Sequence, residues 1–215
     1  MEEYSEIVNS WNHWGQLASF GLTALAVLML LGYILKLASK SDPKVKFDFI
    51  NKSEINMLWY ASLTIIIAAS IYANTFIPQF IWLWIFVRIF ITVMMGIIVS
   101  VVVQNLLKFY YPFYIEKRLK KLRYQPRISP KTGKPMKLLS EDEEDVYLDE
   151  GMQAEEDIFS IDYDVWVDEE TGYTKIEKYS GHLHAIQCPE CNYQTFKVTK
   201  EEILKSPSVE EEGEL

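Results

Sequence analysis

Cysteine is nearly absent from this chain: its 215 residues include two, Cys188 and Cys191, in one C-x-x-C. That excludes a disulfide framework and leaves a metal knuckle or a thiol redox pair. Positive charge is also scarce, with a formal net charge of -9. A nucleic-acid binder needs a basic face that displaces phosphate counterions. The one dense basic block here, Lys117 to Arg123, abuts an apolar run, so no nucleic-acid partner is expected. Met1 to Trp14 contains Glu2, Glu3 and Glu6 but no Lys or Arg, which argues against a cleavable signal peptide with its positive start. No Asp or Glu interrupts the long apolar runs, so the carboxylate relay of a pump or carrier is missing. No nucleophile–base pair or phosphate loop is legible, and no catalytic residue or enzymatic activity is expected.

Apolar length is what the first half has. Leu17–Leu35 is uncharged and long enough for a hydrocarbon core of roughly 30 Å, with Trp11 and Trp14 as interface anchors before it. Ile55–Ile77 forms a second run, ended by Pro78, and Phe80–Leu107 a third. Between the first two lies a loop, Lys36 to Glu54, carrying Lys36, Lys40, Lys44, Lys46 and Lys52. The connection Asn74 to Gln79 carries no charge, and Lys108 to Arg123 is strongly basic. Basic segments stay on the cytoplasmic side. Three spans, with the N-terminus outside and the C-terminus inside, satisfy every segment.

Residues 1–16 then form a short extracytoplasmic N-terminus and 17–107 the membrane domain. Residues 108–126 are a basic juxtamembrane segment, suited to anionic lipid at about 1 kcal/mol per Lys or Arg. Pro112 is placed to kink this exit. Arg88 reads as an anchor at the outer interface, snorkelling to headgroups and stacking on Trp84 one turn away. Gly96 and Ser100 make a small-x-x-x-small pair that could seat a neighbouring helix.

The second half is soluble. Glu141 to Glu170 contains fifteen acids and no Lys or Arg, and reads as a solvated face. Asp162-x-Asp164 lacks the glycine and terminal glutamate of a calcium loop. Tyr163, Val165 and Val167 alternate with Asp162, Asp164 and Trp166, and Tyr173 to Tyr179 pairs back as a hairpin. Residues 201–215 form an acidic, disordered tail.

Three turns share one spacing. Cys188-Pro189-Glu190-Cys191-Asn192-Tyr193 is a knuckle with a strand, Tyr193 to Val198, after it. Ser129-Pro130-Lys131-Thr132-Gly133 and Asp168-Glu169-Glu170-Thr171-Gly172-Tyr173 repeat it with Ser, Thr or Asp at the cysteine positions. A structural zinc site wants four ligands. His182 and His184 could join Cys188 and Cys191, or two protomers could pool their cysteines in a homodimer. A thioredoxin-like role would place the first cysteine at a helix N-terminus, and a strand is expected here instead.

Met136-Lys137-Leu138-Leu139-Ser140-Glu141, then Asp145-Val146-Tyr147-Leu148-Asp149-Glu150-Gly151-Met152-Gln153, then Asp162-Tyr163-Asp164-Val165-Trp166, resembles the cysteine-rich ribbon region of some bacterial TPM-domain membrane proteins. The resemblance covers residues 127 to 198. It implies three C-x-x-C-G knuckles, one before the Leu148-Asp149-Glu150-Gly151 run, one after the Tyr-Asp-Val-Trp strand, and one closing the module. Here the TPM domain is missing and two knuckles lack cysteine, which weakens the zinc expectation.

The expected architecture is therefore an α-helical membrane protein with three transmembrane helices and a small β-rich, zinc-ribbon-like domain at 127–200. The expected setting is a bacterial inner membrane, with lipids and an unidentified protein as partners. The expected work is that of an adaptor or accessory subunit, with a membrane-tethered zinc or thiol sensor as the alternative.

Overall fold

The computed structural model describes residues 2–75 and 81–197, with side chains from Glu6 onward. Ile77, Pro78, Phe80, Val198 and the acidic tail lie outside the described residues. Two compact units divide the chain, Met1–Gln125 and Pro126–Leu215.

The first unit is helical: α1 Glu2–Ala38, α2 Pro43–Ala73, α3 Trp82–Asn105 and α4 Tyr111–Arg123. Three helices are long and apolar enough to cross a membrane, the third running from Trp82 through to Arg123. Helices α1 and α2 begin earlier than their apolar runs. The expected loop up to Glu54 is helical from Pro43, because Asp42 caps α2. Its carboxylate accepts from the Lys44 amide at 2.7 Å, and Pro43 takes the first helical position, where its missing N–H costs nothing. The disturbance expected at Pro112 falls just before it, as a π turn over Leu106–Tyr110.

Helix α1 runs antiparallel to α2 along a seam of small residues. Ser19 and Ala26 on one side and Ala61 and Ala68 on the other are buried. Their sevenfold spacing keeps them on one stripe, and the Ser19 hydroxyl donates to the Ala68 carbonyl at 2.9 Å. A Cβ on Gly15 would lie 2.5 Å from Thr75. Gly96 of α3 lies against α2 of the same chain, where its Cβ would sit 3.2 Å from the Ser70 hydroxyl. Ser100 of the same pair bonds back to the Ile97 carbonyl at 2.8 Å.

The last carbonyls of α2 are used by its neighbours. Trp11 donates its indole N–H to Asn74 at 2.9 Å, and Arg88 donates to Ala73 at 2.7 Å. Arg88 thus places a cation at the negative end of the α2 dipole. Asn74 Nδ2 reaches Thr92 Oγ1 on α3 at 2.8 Å. Beside these contacts a groove of about 1080 Å³ stays open, lined by Trp11, Trp14, Ser70, Asn74 and Thr92.

The second unit contains a three-stranded antiparallel sheet in the order β1 (Lys137–Leu138), β2 (Ile161–Asp168), β3 (Tyr173–Ser180). Two short helices, α5 (Glu141–Glu144) and α6 (Glu150–Asp157), precede β2. The register pairs Leu138 with Trp166, and Asp168 with Tyr173. Ile161, Tyr163, Val165 and Val167 form the core with Leu148, and Leu139 and Met152 pack against it. Period-two alternation puts these strand residues on one face. The other face of β2 is also buried. Arg127 lies over Trp166 at 4.9 Å and grips Glu177 with two nitrogens, at 2.9 Å from Nε and 2.7 Å from its terminal amine.

The expected solvated acidic face holds for Glu141, Asp142 and Asp157 but fails at Glu144, Glu155, Asp164 and Asp168, which are buried. No strand is formed over 193–197; an isolated bridge between Ile186 and Phe196 stands there instead.

Candidate functional site

The three turns legible in the sequence have one backbone geometry. The fifth residue of each donates its amide to the carbonyl of the first: Gly133 to Ser129 at 2.9 Å, Gly172 to Asp168 at 2.8 Å, and Asn192 to Cys188 at 2.9 Å. That fifth residue is left-handed each time, with φ of 70°, 65° and 64°. Glycine suits this conformation, and asparagine is among the side chains that tolerate it best.

The first two turns close on each other. Ser129 Oγ, Thr132 Oγ1 and Thr171 Oγ1 all donate to a single atom, Asp168 Oδ2, at 2.6, 3.0 and 2.8 Å. These four residues occupy the first and fourth places of their two turns, the places that cysteine takes in the third. A carboxylate oxygen therefore sits at the centre of the quartet, and hydroxyl donors surround it. The Ser129 hydroxyl, with those of Thr171 and Thr132 and the Glu170 amide, holds the Asp168 carboxyl well below the usual carboxylate range despite its burial. A depressed carboxylate adds stability at neutral pH, and the contribution is lost as pH falls through its folded pKa. Spacing alone located these four positions, but it could not show that they meet.

The third turn is anchored from behind. Tyr193 donates its hydroxyl to Asp149 Oδ2 at 2.9 Å, and the Gln194 amide donates to Glu155 Oε1 at 2.6 Å. The Tyr193 ring lies on Gly151, where any Cβ would come within 2.1 Å of it. Glu155 is fully buried and also accepts from Tyr163 and from Lys178, the latter at 3.1 Å. Burial pushes the Glu155 carboxyl up, but the Gln194 amide, Tyr163 and Lys178 outweigh it and hold it low. The run Leu148-Asp149-Glu150-Gly151 is thereby explained: Leu148 fills the core, Asp149 caps α6 and holds Tyr193, and Gly151 seats the ring.

Cys188 is half-buried and Cys191 exposed. The amides of Cys191 and Glu190, and then the Cys191 side chain, face the Cys188 sulfur and lower its pKa below the ordinary thiol value. His182 and His184 are exposed in the loop after β3. Among the described residues, no three of His, Cys, Asp and Glu are gathered to hold a metal ion. The turn brings the two cysteines together, and the fold does not bring the histidines into a set with them.

A second polar centre, missed in the sequence, lies in the helical unit. Glu54 is 3% exposed and bound from three sides. Tyr33 of α1 donates to one oxygen, Tyr111 of α4 donates to the other at 2.7 Å, and Arg118 of α4 spans both at 3.1 and 2.8 Å. The fork geometry of the guanidinium suits a carboxylate. It ties α4, at the basic end of the third long apolar helix, to α2. The Asp42–Pro43 start of α2 was the available signal that Glu54 is helical; nothing local marked its partners.

Comparison of this chain with known protein families, with curated proteins and with solved structures finds no match.

Proposed function

We propose that this chain is an integral membrane adaptor or accessory subunit, without catalysis of its own, that presents its ribbon-like unit to a protein partner. The observation that carries this reading is Phe159. Its backbone is left-handed, with φ of 58°, and its ring is 69% exposed. It closes α6 through the Phe159 amide on Glu156 at 2.7 Å and the Ser160 amide on Glu155 at 3.0 Å. Glycine is the usual residue in such a helix end. A bulky residue there strains the backbone, and this ring gains no burial in return. Strain held at an exposed aromatic supports a contact role. The hydroxyl cage on Asp168 and the Arg127–Glu177 pair use the nearby buried polar groups on one another, which supports a scaffold rather than a reaction centre.

In this reading the setting is a bacterial inner membrane, N-terminus outside and ribbon in the cytoplasm. The lysines around the start of α2 and at the end of α4 support that orientation. The membrane-tethered sensor is the second reading, favoured by the exposure of Cys191.

The test is co-purification of the full chain in mild detergent. An adaptor retains a stoichiometric partner that is lost in Phe159→Ser while β2 and β3 keep their amide protection. Recovery of the same proteins with residues 1–125 alone would contradict the reading. A sensor instead keeps its fold and loses its response in Cys188→Ser/Cys191→Ser.

A further inference from the structure

Three turns of one build occur in the ribbon, and two of them complete each other. The Ser129 and Asp168 turns meet around one carboxylate oxygen. The Cys188 turn, the one with thiols, has no mate of its kind in the chain. Two ligands do not make a structural zinc site, which takes four. The undescribed residues 198–215 contain no Cys or His, and the one remaining histidine, His13, belongs to α1. No third ligand accompanies the pair among the described residues.

We propose that Cys188 and Cys191 are half of a zinc site that the same two cysteines of a second copy of this chain complete, giving one tetrahedral ion with four thiolate ligands per two chains.

Three features carry this. The turn is preorganised: the Asn192 amide donates to the Cys188 carbonyl at 2.9 Å, and the Cys188 amide to the Tyr193 carbonyl at 2.7 Å. It is braced from behind by Tyr193 on Asp149 and by the Gln194 amide on Glu155, so little freedom is lost when metal binds. Its outer sulfur, on Cys191, is exposed, which leaves room for a second turn to approach. Binding exchanges four thiol protons, two from each chain, for one divalent zinc, with no change of oxidation state. The acidic surplus of each chain, -9 overall, disfavours pairing without the metal. Confinement of both copies to one membrane raises their effective concentration and favours the shared site.

The experiment uses the full chain in detergent micelles, with zinc measured by atomic emission and protein mass by light scattering. One zinc per two chains is expected, and chelation should halve the protein mass. Cys188→Ser/Cys191→Ser should lose both the zinc and the dimer while β2 and β3 keep their amide protection. His182→Ala/His184→Ala should keep both. One zinc per chain that is lost in the histidine variant would overturn the proposal in favour of a site within one chain. So would the absence of zinc, or a dimer that survives in the serine variant. The inference goes beyond the adaptor reading, whose test scores a third protein held through Phe159. Each can therefore fail without the other.

Discussion

Glu54 in the helical unit and Asp168 in the β-sheet unit are both buried carboxylates that gather several donors, yet they are balanced differently. Glu54 faces two tyrosine hydroxyls and a guanidinium, a full opposite charge supplied by α4. Among the described residues, Asp168 Oδ2 faces three hydroxyls from two turns and no cation. The difference follows from what each unit must join. Helices separated by tens of residues need a long side chain to reach across, and Arg118 supplies it. Two tight turns already bring their first and fourth residues together, so short hydroxyls suffice. The Asp168 quartet thus gathers the first and fourth residues of two turns around one carboxylate oxygen.

The sharpest way to break that comparison is to give the quartet back its ligands. Ser129→Cys/Thr132→Cys/Asp168→Cys/Thr171→Cys should bind one zinc per chain that survives desalting, since structural zinc contributes about 10–16 kcal/mol at neutral pH. A folded variant that takes up no zinc would show that the hydroxyl positions do not converge on a metal-sized centre. Next in size is Arg127→Met, which removes the buried guanidinium from Glu177 and leaves it the partly exposed Lys175, at 2.9 Å, and the Tyr179 hydroxyl. It should cost about 3–5 kcal/mol by denaturant unfolding, and Arg127→Met/Glu177→Leu should recover much of the loss.

A smaller effect separates the two carboxylates themselves. Glu54→Gln removes the charge opposite Arg118 and should cost about 1.5–3 kcal/mol of stability in detergent. Asp168→Asn should destabilise the ribbon at neutral pH and have less effect in acid, where the wild-type carboxylate has lost its contribution. Equal losses at both pH values would contradict the depressed pKa of Asp168.

The smallest effect is a gain. Burial above all, with Glu156, Asp164 and Asp162 nearby, pushes the Glu144 carboxyl up to about 7 against the pull of the Val165 amide. Its folded pKa lies above its unfolded one, so a penalty builds as pH rises from about 4.5 to 7. Glu144→Gln should therefore be more stable than the wild type at pH 8 and no more stable at pH 4. A variant with no gain at pH 8 would place that side chain in water.

The three long apolar helices were legible because apolar length is a local signal, and the core face of β2 because alternation is local as well. The start of α2 could have been read from Asp42 and Pro43, but the lysine-rich stretch around it suggested a loop. Glu54 was invisible for a different reason: its partners lie 21, 57 and 64 residues away along the chain. The positions of the Asp168 quartet were visible as a repeat. Their chemistry was not, because Ser, Thr and Asp at those places look like lost ligands until the turns are seen to meet. Likewise the acidic run looked solvated, because burial of Glu155 depends on Lys178, Tyr163 and the Gln194 amide arriving together. The Tyr193 segment is held instead at its side chain by Asp149, at the Gln194 amide by Glu155, and by one bridge from Phe196 to Ile186.

The central claim is that hydroxyls on one carboxylate oxygen hold the Ser129 and Asp168 turns together. Amide hydrogen exchange over β2 and β3 in the full chain, with and without a strong zinc chelator, tests it most directly. The account predicts unchanged protection from Ile161 to Ser180 on chelation, and faster exchange in Asp168→Asn. Loss of that protection when metal is removed would contradict it.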